Sequence, residues 1–461
     1  TKYAKMITNP LEIKRELDKA INIATTGRPG PVWLDIPLNI QGSLIEEGKL
    51  YELEEIEEKK FFKNDWNKIR ELLKKSERPV IIAGQGVRIS DGKNELVQFL
   101  EKSEIPVLTT FNGVDLFSNN YNNFIGRIGT LGSRAGNFAL QNADLVITIG
   151  TRNNIRQVSY NWLMYARSAQ KIIVDIDEKE LKKPTIIPDV SVCMDAKEFL
   201  KELNKLEVKN YSDWLQWCIV RKEKYPIVLD EHRESKEINP YVFIEKLTKE
   251  LKDNAVIVAG NGTACVAAFQ AGIVKENTRM FWNSGCASMG YDIPSAIGAC
   301  FGNDRKEVYC IAGDGSAMMN IQELMTIVHY KLPIKIILLN NDGYISIKQT
   351  QEAFFESRYV ASGSGSGVGI PDFTKVAQGF GMKTIKISNY QEMNEKIQEL
   401  VDLNEPVLCE VMLDRNHKFM PKLSSKKLDD GRMISKPLED LYPFLDKEEL
   451  KENMIVPIIE E

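Results

Sequence analysis

Residues 307–316 read EVYCIAGDGS and residues 334–345 read IKIILLNNDGYI. The apolar runs Glu307–Ile311 and Lys335–Asn340 have the length and branched content of buried strands, and each ends in turn-forming residues. Between them, Asn320-Ile321-Gln322-Glu323 has the form of a capping box that opens a helix. Leu324, Ile327 and Val328 share one face of that helix, and Pro333 stops it. Strand, helix and strand in this order predict a βαβ crossover, right-handed in nearly all cases. The crossover brings Asp314 and Asn341, 27 positions apart, to the carboxyl edge of a parallel sheet, where ligands bind. An Asp carboxylate, an Asn amide oxygen and the Gly343 carbonyl make a hard oxygen site suited to Mg²⁺, with phosphate oxygens completing the shell. Gly313 and Gly315 leave room for backbone to approach a phosphate, and Ser316 adds a donor. Singly, these segments are ordinary turn compositions. Their pairing across one crossover is what points to a site.

The same alternation runs outward in both directions. Val80–Gly84, Pro106–Thr110, Asp144–Gly150 and Lys171–Asp175 read as strands with helical patterns between them, and Ala255–Ala259 and Pro406–Leu413 join the two already quoted. The expected fold class is therefore α/β: two doubly wound parallel-sheet domains, residues 62–205 and 238–415. Residues 46–61 are charge-dense and read as a linker. Residues 206–237 read as a helical connector, and 416–461 as an irregular tail with a short helix near Glu448. Residues 1–45 hold one helical pattern, Leu11–Ala24, and one apolar run, Pro31–Ile36, read as a buried strand. One helix and one strand do not make a domain, so this segment is expected to be the end of a third.

Composition narrows the chemistry. The 461 residues carry 60 Lys+Arg against 65 Asp+Glu, a net charge of −5, which removes a bulk basic footprint for nucleic acid. No apolar run has the length of a membrane span, and the start has no secretory signal pattern, so a cytoplasmic protein is expected. Seven cysteines without a C-x-x-C pair fit free thiols in a reducing compartment. Three histidines, His232, His329 and His417, are too few for a histidine metal cluster, so the reactive group is expected to come from a cofactor.

Gly-Asp-Gly followed at this interval by Asn-Asn resembles the signature of thiamine diphosphate enzymes, and the chain as a whole is similar to the acetolactate synthase-like group. The resemblance implies thiamine diphosphate and Mg²⁺, with Asp314 and Asn341 ligating by side chain and Gly343 by its carbonyl. It implies diphosphate contacts from Asn261, Gly262 and Thr263, and cofactor contacts from Ser288, Met289, Tyr344 and Ile345. Met289 matches the bulky apolar residue that bends the cofactor, which implies that proton abstraction is internal to it. The activating Glu of the family belongs to a region before Thr1, roughly 110–120 residues by the family pattern, so no catalytic residue is assigned. The resemblance also implies a homodimer or homotetramer with the site at the subunit interface. Gly84-Gln85-Gly86, Gly126–Gly132, Arg152 and Asp175 resemble flavin-binding segments, implying a structural FAD in the central domain, with Gly84, Gly86, Arg152 and Asp175 as its contacts.

The departures concern the substrate. Thr350 stands where acetolactate synthases carry a Trp, and Ile347 where simple 2-oxo acid decarboxylases carry a Glu. Gln349-Thr350-Gln351 predicts a polar acceptor pocket. Pro421–Ser425 with Asp430-Gly431-Arg432 resembles the branch found in surface-polysaccharide sugar pathways, whose members transfer a two-carbon unit from pyruvate to a keto-sugar nucleotide. The expected activity is a carboligase that decarboxylates a 2-oxo acid and adds the acyl anion to a carbonyl acceptor, either a 2-oxo acid or a keto-sugar nucleotide. A decarboxylase without ligation and a non-catalytic cofactor-binding subunit remain the alternatives. Ser362–Gly367 (SGSGSG) reads as a mobile loop near the pocket or a plain linker.

Overall fold

The computed structural model describes residues 1–54, 65–427 and 433–459. In the N-terminal segment, β1 (Tyr3–Met6) and β2 (Val32–Asp35) pair in parallel beside the helix Ile13–Thr25. β2 is not the buried strand its composition predicts. It alternates between half-buried and exposed residues, and Trp33 is 67% exposed. Of the linker, residues 46–54 contain only a short turn, Glu47–Lys49, and residues 55–61 lie outside the described part.

The central sheet contains β3 (Pro79–Ala83), β4 (Val107–Thr109), β5 (Phe124–Arg127), β6 (Leu145–Ile149), β7 (Gln170–Asp175) and β8 (Val190–Cys193), all parallel. Its order is β5-β4-β3-β6-β7-β8, so the chain reverses direction across the sheet between β3 and β6. The C-terminal sheet contains β9 (Val256–Ala259), β10 (Arg279–Trp282), β11 (Val308–Gly313), β12 (Ile334–Asn340), β13 (Lys383–Ile387) and β14 (Val407–Met412), also all parallel. Its order, β10-β9-β11-β12-β14-β13, reverses between β9 and β11. Helices cover both faces, and β3, β6 and β12 are buried along their whole length, which is why they read as unbroken apolar runs. Within these two sheets, the eight strands legible in the sequence are the eight interior strands, and the four it misses, β5, β8, β10 and β13, are the four sheet edges.

The connector holds the helix Ser212–Lys224, and the tail ends in the helix Lys447–Glu452. The tail is more regular than predicted. It forms an antiparallel ribbon of β15 (Ser425–Lys427) and β16 (Met433–Ser435) and then returns to the central domain. There Asn142 accepts from the backbone N–H groups of Ile455 and Val456 and donates to the Asn453 carbonyl, while Arg167 pairs with Glu439 at 2.7 Å. No helix among the described residues is long and apolar enough to cross a membrane.

The two sheet domains are joined by charge buried at their contact. Asp115 lies between Arg88 at 2.9 Å and Arg279 of β10 at 2.6 Å. Arg127, at the end of β5, is fully buried without a carboxylate partner. It donates to the carbonyls of Phe269 (2.6 Å), Gln270 (3.0 Å) and Gly272 (2.8 Å), which close the helix Thr263–Ala271. Burial lowers its pKa to about 10, and the C-terminal end of the helix dipole holds the charge in place. Arg127→Met leaves these carbonyls buried and unpaired, a loss on the order of 3 kcal/mol. Urea unfolding is expected to show a separate, earlier transition for undocking of the domains.

Candidate active site

The site forms at the carboxyl ends of β9, β11 and β12, where the C-terminal sheet reverses its winding, the position at which open α/β sheets bind ligands. Asp314 follows β11 directly and is 2% exposed. Its Oδ2 accepts from the backbone N–H groups of Asn341 (3.1 Å) and Gly343 (2.9 Å), and its Oδ1 from that of Gly315 (2.6 Å). Burial raises the Asp314 pKa to about 6, and the three N–H donors offset that only in part. Asn341 is buried too. Its amide nitrogen donates to Thr263 Oγ1 at 3.0 Å, and its Oδ1 is buried with no partner among the described residues. A half-compensated carboxylate beside an orphaned amide oxygen is an arrangement that a hard cation would complete.

The turn carrying Gly343 is built from behind. Glu410 on β14 accepts from Asn340 Nδ2 at 2.8 Å, and Asn340 Oδ1 accepts from the Asp342 N–H at 3.1 Å. Gly343 has φ of 114°, a conformation that side-chain-bearing residues rarely adopt. Ser362 packs on this turn and is fully buried, its carbonyl accepting from the Tyr344 N–H at 2.8 Å. Ser364 donates to Asp342 at 2.7 Å, so Ser362–Gly367 is a brace of the site, neither a linker nor a loose loop. Gly315 has a use other than the predicted one. A Cβ there would lie 2.2 Å from the Tyr344 ring, so its missing side chain makes room for Tyr344, whereas a Cβ on Gly313 would meet open space. Ile345, buried, begins the helix Ile345–Phe354.

Two further segments converge here. Gly262 precedes the helix Thr263–Ala271, whose N-terminus opens onto the site and offers unpaired N–H groups to an anion. Asn261 donates to the Ala287 carbonyl at 3.2 Å, tying this turn to residues 283–290. In that loop Ser288 is exposed. Met289 is half-buried and belongs to none of the three apolar cores, which argues against a packing role. Ser316 Oγ accepts from the Gly290 N–H at 2.9 Å. Asn320 corrects the capping-box expectation: it lies at a kink and donates to the Gly290 carbonyl at 2.6 Å, holding the loop instead of capping a helix. The central domain touches the same loop through Asn112, whose Oδ1 accepts from Ser284 Oγ at 2.7 Å.

Sequence reasoning missed Asp292, Glu410 and the placement of His417. Asp292 is fully buried at the start of the helix Asp292–Gly302, with one carboxylate oxygen unpartnered and its pKa raised by burial. A Cβ on Gly260 would lie 2.4 Å from it. The Asp-Ile-Pro start of that helix was the available signal. The residues of the expected polar acceptor pocket, 349–351, lie on the helix Ile345–Phe354. Gln349 donates to the His417 carbonyl, Gln351 to that of Val360 and Thr350 to that of Ser346, while Gln351 Oε1 is buried with no partner among the described residues.

Of the flavin residues, Gly84, Gly86 and Arg152 follow β3 and β6, where the central sheet reverses, and Asp175 ends β7. There Gly84 and Gly86 pack against Gly150: a Cβ on either would lie within 2.5 Å of the Gly150 backbone, and the Gly86 N–H donates to the Gly150 carbonyl at 2.9 Å. Arg152 pairs with Glu180 at 2.9 Å, and Asp175 accepts from the Asp177 N–H at 2.9 Å. All four lie at the carboxyl ends of the neighbouring strands β3, β6 and β7. The residues 430–432 read as a branch signature lie outside the described part.

Residues 260–411 match the family described as thiamine pyrophosphate enzyme, C-terminal TPP binding domain, and residues 66–203 match thiamine pyrophosphate enzyme, central domain. Fold and site together define a thiamine diphosphate enzyme. Over 461 aligned residues the chain is 32% identical to the acetolactate synthase large subunit of Corynebacterium glutamicum, covering 97% of this chain and 72% of that one. It is 31% identical to that of Pyropia yezoensis (94% and 74% covered) and 29% identical to the isozyme 1 large subunit of Escherichia coli (91% and 74%). The chain belongs to the acetolactate synthase large-subunit family.

Gly315→Ala places a methyl group inside the Tyr344 ring contact. It is expected to destabilise the chain by about 1–3 kcal/mol and to weaken thiamine diphosphate binding. Urea unfolding and a fluorescence titration with the cofactor measure the two effects.

Proposed function

We propose that the chain is the catalytic subunit of a carboligase that decarboxylates pyruvate and adds the remaining two-carbon unit to a carbonyl acceptor. The observation that carries it is the clamp at Asp314: a buried carboxylate, an orphaned Asn341 oxygen and the Gly343 turn converge at the β11 and β12 ends. Thiamine diphosphate, when bound, supplies the acyl-anion chemistry that lets a 2-oxo acid lose CO₂ and the residue add to a carbonyl.

The chain's own residues bind and orient. Asp314, Asn341 and Gly343 suit Mg²⁺. Among the described residues no cluster of three or more His, Cys, Asp or Glu side chains could hold a metal, so one carboxylate would leave the remaining positions to phosphate oxygens and water. The N-terminus of the helix Thr263–Ala271 and Ser316 would hold the diphosphate, and Met289 would offer apolar support to the cofactor. At the acceptor end, Thr350 is a small exposed residue with its hydroxyl turned back on its own helix. That supports an acceptor bulkier than a second pyruvate, of the keto-sugar nucleotide kind. A structural FAD rests on the resemblance of Gly84, Gly86, Arg152 and Asp175 alone, and the carboligase reading does not depend on it.

The deciding assay follows CO₂ release and product mass with pyruvate alone and with pyruvate plus a keto-sugar nucleotide. A ligated product in either case supports the carboligase, free acetaldehyde as the main product points to a decarboxylase, and no CO₂ from pyruvate refutes both.

Asp314 also sets a pH dependence. Its pKa in the fold is raised, so cation binding must displace a proton below about 6. Mg²⁺-dependent cofactor affinity should therefore fall as pH drops through about 6 and stay level above it. Asp314→Ala should remove both the Mg²⁺ dependence and the pH dependence in the same fluorescence titration.

A further inference from the structure

The hydrogen bonds behind Asn341 have a fixed polarity that leads back to His417. His417 lies just past β14, is 3% exposed, and packs edge-on against Phe419. Its Nδ1 is 2.7 Å from the Asp414 carbonyl oxygen. A carbonyl only accepts, so Nδ1 carries the hydrogen. Burial lowers the pKa of the ring and keeps it neutral, which leaves Nε2 as an acceptor. Thr263 Oγ1 is 3.3 Å from Nε2, so the threonine hydroxyl gives its hydrogen to His417. The oxygen of Thr263 can then only accept, and what it faces is the Asn341 amide at 3.0 Å.

The consequence falls on the amide. With its NH₂ end directed to Thr263, the Oδ1 end is turned away, into the position where it is buried and unpartnered. The opposite orientation would set Oδ1 against an oxygen whose hydrogen is already given, and would bury two mismatched polar groups. Two elements hold His417 itself: the Asp414 carbonyl from the β14 end, and Gln349 on the helix Ile345–Phe354, which donates to the His417 carbonyl at 2.9 Å.

We propose that His417 is a positioning residue for the metal clamp: acting through Thr263, it decides which end of the Asn341 amide faces the cation. The proposal rests on the metal reading given above, and its test separates the two. Mn²⁺ serves as the probe, with the full chain and saturating thiamine diphosphate, and free Mn²⁺ is read by electron paramagnetic resonance.

His417→Phe keeps the ring volume and removes both nitrogens. It is expected to weaken Mn²⁺ binding about tenfold, as loss of a partner behind a metal ligand typically does. Thr263→Val should cause a similar loss, Thr263→Ser should hold within about twofold of the parent, and the double variant His417→Phe/Thr263→Val should lose no more than the weaker single variant. Parental Mn²⁺ affinity in His417→Phe, or a double-variant loss equal to the product of the two single losses, overturns the proposal. Should His417→Phe fail to fold by thermal scan, the threonine pair decides: equal Mn²⁺ affinity in the Val and Ser variants overturns it. If the parent binds no Mn²⁺ with the cofactor present, the metal reading falls and the relay falls with it. If the parent binds and the His417 and Thr263 variants match it, the relay alone falls.

Discussion

A buried carboxylate with too few partners governs this molecule. Asp314 draws three backbone N–H groups toward its two oxygens, and those groups come from the ends of two neighbouring strands. The bonds fix the geometry of both turns, but they do not fully repay the loss of water, and burial keeps the pKa raised to about 6. That residue of unfavourable charge is worth roughly 3 kcal/mol. A cation bound there would recover part of it. Glu410, Asn340 and Ser362 hold the Gly343 turn from behind.

The two sheet domains have equivalent crevices and use them differently. Both are parallel, and both reverse winding next to a central strand. At the C-terminal sheet β9 and β11 stay paired to the end of β9, and the turns that follow carry Asn261, Thr263, Asp314 and Ser316. At the central sheet the ends of β3 and β6 are drawn together by the Gly84 and Gly86 contacts with Gly150. The glycines that resemble a nucleotide fingerprint pack there against one another's backbone.

This also explains what the sequence disclosed. Interior parallel strands are buried on both faces and appear as continuous apolar runs, which is why β3, β4, β6, β7, β9, β11, β12 and β14 were legible. Edge strands are not under that constraint. β10, Arg-Met-Phe-Trp, alternates in burial, β13, Lys-Thr-Ile-Lys-Ile, keeps two exposed lysines, and β5 is interrupted by Gly126. Within the site, Asp314 and Asn341 were legible because the strand-turn pattern places them. His417, Glu410 and Asp292 were not, because each acts through contacts made across long stretches of chain: His417 meets Thr263 from 154 positions away, and Glu410 meets Asn340 from 70. Flanking composition carries no trace of such pairings.

The helix Thr263–Ala271 ties these features together. Its first residue is bonded to Asn341 and His417, and its last carbonyls are held by Arg127 of the central domain. A cationic guanidinium at the C-terminal end and an open anion-binding N-terminus lie in the same sense along one helix dipole. The uncompensated burial of Arg127 is therefore not an isolated cost of docking the two domains. A charge placed there fixes the helix along its axis, and the axial position of that helix determines where Thr263 meets Asn341. Contact between the domains and the bond from Asn341 to Thr263 are in this way joined by a single element nine residues long.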